Sequence, residues 1–191
     1  MMIGLHSAPF LAMVAIVVAT LARGMAIRRA TGDRPWAFAS AMGVQRIAGS
    51  SFALSVAALL VAAALAPANG TNWTVLPAIV SLAGAAIVIV AQMQMGRAWR
   101  VGVREGDAPL FVSHGLFRYS RNPIFVGMML VGLSAAMLSG TWWSWSALVL
   151  FVLSCIVQVR IEEAHLEASF GDAYRAFRVR VPRWIGLARS A

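Results

Sequence analysis

The chain has 191 residues, 60% of them apolar and 12% charged, and its 16 basic against 7 acidic side chains leave a formal charge of +9. Soluble domains carry about 25% charged residues, so a soluble globule of this composition would lack the polar side chains to cover its surface, and a soluble enzyme and a disordered chain are both excluded. A single cysteine, Cys155, permits no internal disulfide, and three histidines are too few for a His-rich di-iron site.

The charges fall in blocks. Residues 1–22, 47–96 and 122–159 contain no formally charged side chain, and a bilayer-spanning helix needs about 20 such residues. The first tract predicts one span, roughly Leu5 to Ala26, with Arg23 snorkelling to the interface. It reads as an uncleaved span, since Arg23, Arg28 and Arg29 follow the apolar stretch rather than precede it. The second tract is too long for one helix and is interrupted at Pro67-Ala68-Asn69-Gly70-Thr71-Asn72, a turn between two spans. The third is broken at Ser139-Gly140-Thr141 into two helices of roughly 17 to 20 residues. The expectation is an all-α integral membrane protein with five transmembrane helices and a cytoplasmic C-terminal amphipathic helix.

Five spans define six polar segments, and all 16 arginines fall on alternate ones, with no lysine anywhere. All seven acidic residues share that side. The positive-inside rule makes it the cytoplasm and puts the N-terminus outside, so any chemistry is expected at the cytoplasmic face of a cell (inner) membrane. Apart from Arg23 at the interface, the spans carry no formal charge, unlike the bundles of transporters and proton pumps.

Between the third and fourth spans runs a long loop, Gly96-Arg97-Ala98-Trp99-Arg100-Val101-Gly102-Val103-Arg104, an acidic turn, then Ser113-His114-Gly115-Leu116-Phe117-Arg118-Tyr119-Ser120-Arg121-Asn122-Pro123. Loops of this length in compact proteins are usually functional. Asn122 suits an N-cap and Pro123 the first helical position. Free N–H groups there, with Arg121, would form an anion site. Gly127, one turn on, leaves room for a neighbouring helix or for a ligand.

The fifth span ends in Arg160-Ile161-Glu162-Glu163-Ala164-His165-Leu166-Glu167. Adjacent glutamates at a helix C-terminus oppose the macrodipole and call for positive charge. Arg121, Arg100, a tail arginine or a cationic ligand would each serve. Glu162 and His165 have di-iron spacing, but the second copy and further carboxylates which that chemistry requires do not occur. Cys155 reads as an apolar filler. Leu166, Phe170, Tyr174 and Phe177 then form a helical stripe flanked by Arg175 and Arg178, either an interfacial helix on anionic lipid or a lid over the loop and the glutamates.

Arg121-Asn122-Pro123-Ile124-Phe125-Val126-Gly127, followed by a helical hairpin, Glu162-Glu163, Leu166, Phe170-Gly171, Tyr174 and Val181-Pro182-Arg183, resembles the isoprenylcysteine carboxyl methyltransferase family. That family's R-(H/N)-P-x-Y-x-G and E-E pattern is shared more loosely with membrane phospholipid methyltransferases. The resemblance covers roughly residues 93–185, so that a single membrane domain, 1–191, divides into N-terminal spans without family signal, 1–92, and a methyltransferase-like region, 93–191. It implies a membrane enzyme that takes S-adenosylmethionine from the cytosol and methylates a lipid-like or isoprenoid-linked carboxylate or thiol. The implied cofactor site comprises Gly115, Leu116, Tyr119, Arg121, Asn122, Pro123, Phe125, Gly127, Glu162 and Glu163, with membrane lipids and a lipophilic small molecule as partners and neither metal nor nucleic acid. Asn122 stands where many members have His, and Phe125 where many have Tyr. No particular catalytic residue is singled out. A phospholipid amine acceptor, with His114, His165 or a glutamate as base, an NADPH-dependent sterol-reductase-like enzyme, and a non-enzymatic membrane protein are the alternatives.

Overall fold

A computed structural model of the chain describes residues 4–32, 43–67, 74–96, 99 and 112–187. The described residues form helices and connections, with no strand among them. A short 3-10 turn, Leu5–Ser7, leads into α1, Ala8–Thr31, with Pro9 in the first turn where a missing N–H costs nothing. Helix α1 outruns its expected end at Ala26 because nothing breaks it before Gly32, whose N–H closes on the Arg28 carbonyl. Helices α2, Gly43–Ala64, and α3, Val75–Met95, lie on either side of the expected turn. Of that turn only Pro67 lies among the described residues. A 3-10 turn at Gly115–Arg118 precedes α4, Pro123–Ser139, then α5, Trp142–Phe170, and α6, Asp172–Arg180.

Four helices are long and apolar enough to cross a membrane: Leu5–Ala30, Gly43–Ala64, Val75–Met95 and Trp142–Phe170. Helix α4 has 17 residues, about 25 Å against a hydrocarbon core of about 30 Å. Helix α5 corrects the expectation of a short fifth helix: it runs 29 residues without Gly or Pro until Gly171, at φ +51, ends it. Glu162 and Glu163 therefore lie about two turns inside the helix. The macrodipole acts only over the last turn, so burial, rather than the helix end, is what makes Glu163 require a partner.

The most extensive packing is α3 on α4 and α2 on α5, with α1 against α3. Small residues set the first contact: a Cβ on Gly127 would lie 2.5 Å from the Gly84 carbonyl oxygen, and one on Gly84 would lie 2.6 Å from that of Gly127. The two backbones touch, which settles the open question at Gly127 in favour of a neighbouring helix. The core gathers Leu59, Val88, Val131, Ala135, Phe151 and Cys155, and Cys155 is an apolar filler as expected. Phe52 of α2 stacks edge-on to Phe125 of α4 at 6.5 Å and tilts onto Phe151 of α5 at 5.1 Å. Two polar clasps fix α1 to α3: Gln92 Nε2 donates to Thr20 Oγ1 at 2.9 Å, and Arg23 Nη2 donates to the Gly96 carbonyl at 2.7 Å.

Candidate functional site

The start of α4, the middle of the second half of α5 and the chain beyond α6 converge on one carboxylate. Glu163 is 6% exposed. Arg121 Nη2 lies 3.2 Å from its Oε1, Arg183 Nε donates to both oxygens at 3.1 Å, Arg183 Nη2 lies 2.7 Å from Oε2, and Asn122 Nδ2 donates to Oε1 at 3.4 Å. A buried carboxylate is tolerable only when its lone pairs are so filled. The hydrogen bonds from Arg183 to Glu163 hold the guanidinium's pKa above its ordinary value.

The tail docks through its backbone as well. Arg121 N–H donates to the Pro182 carbonyl at 3.0 Å, Gly186 N–H to the Tyr119 carbonyl at 3.1 Å, and Asn122 Nδ2 to the Arg183 carbonyl at 3.1 Å. Asn122 occupies the N-cap position of α4, and Pro123 its first turn, but the Asn122 side chain makes no capping bond. It is spent on Glu163 and Arg183 instead. The stripe expected from sequence forms a small core of its own, with Tyr174, Phe177 and Val181 buried against Leu166 and Phe170. Burial first, then the charge of Glu163, pushes the Tyr174 phenol up to about 12.

Two groups in this cluster are uncommitted. Arg121 has a side chain 7% exposed, yet its Nε and Nη1 are buried without a hydrogen-bond partner among the described residues. Glu162, adjacent to the saturated Glu163, makes no ion pair or hydrogen bond among the described residues. The paired glutamates are thus unequal: one binds the tail and the loop together, the other stands free. Sequence reasoning treated them as equivalent.

The remaining predicted residues distribute around this centre. Leu116 N–H donates to Gln94 Oε1 at 2.8 Å, and Gly115, at φ +60, packs so tightly on the Gln94 side chain that no Cβ fits. Together these pin the loop to the end of α3. Tyr119 is exposed, Pro123 is buried, Phe125 points into the helix core, and Gly127 is filled by α3. Arg121, Asn122 and Glu163 are therefore brought together, with Glu162 next to Glu163 in the chain, while Phe125 and Gly127 face the bundle. Of the loop Gly96 to Gly102 only Gly96 and Trp99 lie among the described residues, and Arg100 lies outside them. Arg183 is not among the site residues expected from sequence, although its Val-Pro-Arg context belongs to the motif; the available signal is an arginine following a helix that carries a buried-face glutamate.

The family model described as phospholipid methyltransferase matches residues 73–173. The chain belongs to that family. The matched segment contains α3, α4 and all of α5, hence Arg121, Asn122 and both glutamates, whereas α1, α2, Tyr174 and Arg183 lie outside it. Over 101 residues, 51% of this chain and 42% of the relative, the chain is 35% identical to the protein-S-isoprenylcysteine O-methyltransferase of Schizosaccharomyces pombe. Over 63 residues, 32% of this chain and the full length of the relative, it is 30% identical to an uncharacterized protein of Haemophilus influenzae. The chain thus spans less than half the length of the fission-yeast relative it matches. No solved structure matches it significantly. Membership of this methyltransferase family, with four helices of spanning length, makes the chain an integral membrane protein.

Proposed function

We propose that the chain is an S-adenosylmethionine-dependent membrane methyltransferase acting on a carboxylate or thiol carried by a lipid-like or isoprenoid-linked molecule. Arg121 carries the proposal: a guanidinium over nine-tenths buried, with Nε and Nη1 unpartnered, at the start of a helix. An arginine left so is completed by an anion, and helix N-termini favour the same charge. Glu162 supplies the opposite requirement, a carboxylate with no cation paired to it among the described residues. A ligand carrying a carboxylate, an ammonium and a sulfonium within a few ångströms answers both, and S-adenosylmethionine is such a ligand.

Bound there, the cofactor would supply an electrophilic methyl group, which an anionic acceptor takes through a new bond as the carbon–sulfur bond breaks and its electron pair stays on sulfur. Arg121 and the α4 N–H groups hold the carboxylate, Glu162 holds the cations, and Glu163 orients Arg121 while fastening Arg183. Gly115, Leu116, Tyr119, Asn122 and Pro123 shape the surroundings, with Phe125 and Gly127 acting through the packing of α4. Because charge is neutralised in the transition state, the tail's exclusion of water favours reaction. Alignment, rather than a nucleophile of the chain, is the main requirement.

In this proposal α4 crosses the membrane as a fifth span, the N-terminus is outside, and α6 and the site lie at the cytoplasmic face of the inner membrane, since that arrangement places all 16 arginines on one side. The family description favours one second reading, an amine on a phospholipid headgroup, for which His114 or His165 is the candidate base. The test is binding of isotope-labelled S-adenosylmethionine to protein purified in detergent, with NADPH as competitor. Saturable binding that NADPH does not displace is expected. Displacement by NADPH points to a reductase, and no binding to a non-enzymatic role.

A further inference from the structure

Along α5, Phe151, Cys155, Gln158 and Glu162 are spaced four, three and four residues apart and share one face of the helix. Gln158 is 3% exposed, and its Nε2 is buried with no hydrogen-bond partner among the described residues. The buried serine hydroxyls of the bundle differ: Ser55, Ser81, Ser134 and Ser144 each donate to a carbonyl three residues earlier in their own chain segment, and Ser154 to one four residues earlier. A primary amide left without a partner among apolar helices is costly, and replacing it with an apolar residue of similar size would remove that cost.

Its depth assigns it a use. At a rise of about 1.5 Å per residue, Gln158 lies roughly 6 Å further into the bilayer than Glu162. The tail covers the cluster where Arg183 and Pro182 pair with Glu163 and Arg121. An acceptor entering along this face from the membrane side would pass Gln158 before it reached Glu162. About 10 Å deeper on the same face, Phe151 lines a cavity of about 50 Å³ with Met13, Val56 and Met128, one residue from each of four helices, and its walls are apolar.

We infer that Gln158 Nε2 donates a hydrogen bond to the reacting anion of the acceptor, so that the site takes a carboxylate or thiolate on an apolar chain in preference to an amine. This rests on the methyltransferase reading above and narrows it. Gln158 is then a binding residue for the acceptor, distinct from Arg121 and Glu162, which serve the cofactor. An ammonium offers Nε2 no acceptor and gains nothing from it.

The experiment uses the full chain in detergent, loaded with S-adenosylhomocysteine so that no reaction intervenes. Palmitate and hexadecylamine, which share a chain length and differ in headgroup charge, serve as probes. Wild type should bind palmitate, and Gln158→Leu should weaken that binding at least about tenfold while leaving affinity for S-adenosylhomocysteine and for hexadecylamine unchanged. Gln158→Leu should also melt no lower than wild type, whereas a structural role would lower it. Gln158→Glu should reverse the preference toward hexadecylamine. Palmitate binding unchanged in both variants, or absent in wild type, overturns the inference while the cofactor reading stands. Failure of wild type to bind S-adenosylhomocysteine overturns the cofactor reading and this inference with it.

Discussion

Arg183 grips Glu163 with three contacts, Nε at 3.1 Å from both carboxylate oxygens and Nη2 at 2.7 Å from Oε2. The Glu163 side chain is 8% exposed and that of Arg183 is 37% exposed, so the arginine reaches in from the surface to a buried anion that Arg121 also touches. Removing the anion strands Arg121. Glu163→Gln should cost about 3–5 kcal/mol, the usual penalty for an uncompensated buried charge. Arg183→Ala leaves Arg121 in place and should cost about 1 kcal/mol. Thermal unfolding in detergent measures both. Equal losses would show that the tail arginine, and not the buried one, dominates.

Glu162→Gln should behave differently from its neighbour. Glu162 holds no cation among the described residues, so its neutralisation breaks no internal contact and stability should hold. Affinity for S-adenosylmethionine should fall about tenfold or more, the value of one charge-assisted contact. Isothermal titration of the folded variant gives the answer. Unchanged affinity would remove Glu162 from the cofactor site.

Tyr174 carries a pH signature. Burial and the nearby Glu163 carboxylate raise its phenol from an ordinary 10 to about 12 in the folded state. Below pH 10 both folded and unfolded chains keep the proton and the contribution to stability is complete. Between pH 10 and 12 the unfolded chain ionises while the folded one resists, and stability falls; the contribution is lost as pH rises through 12. Unfolding free energies from denaturant titration should drop between pH 9 and 11 by on the order of 1–2 kcal/mol, and Tyr174→Phe should flatten that limb. An identical slope in the variant assigns the loss to another group.

The helices are readable because lipid imposes a rule that sequence obeys openly: long uncharged tracts, broken by Gly, Pro, Ser and Asn, correspond to α1 to α5, four of which are long and apolar enough to cross a membrane. The length of α5 is not, since the charged residues after Val159 look like an interface although nothing among them breaks a helix. At the site, the motif locates Arg121, Asn122 and both glutamates, because family patterns preserve residue identity. It does not reveal that Glu163 is saturated while Glu162 has no partner among the described residues, nor that Asn122 bonds to Glu163 rather than capping α4. Those distinctions depend on Arg183, which lies 20 residues beyond Glu163 in the chain and meets it only after α6 reverses direction. Gln158 sat in an uncharged tract where composition gives an amide no prominence.

Gly127 separates helix packing from ligand binding. A Cβ there would stand 2.5 Å from the Gly84 carbonyl oxygen and 3.1 Å from the Val88 nitrogen, both backbone atoms that cannot rotate away. Helices α3 and α4 would have to part, and because α4 begins at Pro123 beside Asn122 and Arg121, the proposed anion site would shift with it. Gly127→Ala should therefore lower stability by about 1–3 kcal/mol, the usual cost of overpacking. Gly84→Ala should do the same from the opposite helix, since its Cβ would meet the Gly127 carbonyl at 2.6 Å. Each variant's loss of affinity for S-adenosylmethionine should follow its loss of stability. If Gly127 instead bordered the ligand, Gly127→Ala would weaken binding with the melting temperature intact, and Gly84→Ala would leave binding alone; that pattern would return Gly127 to the lining of the site.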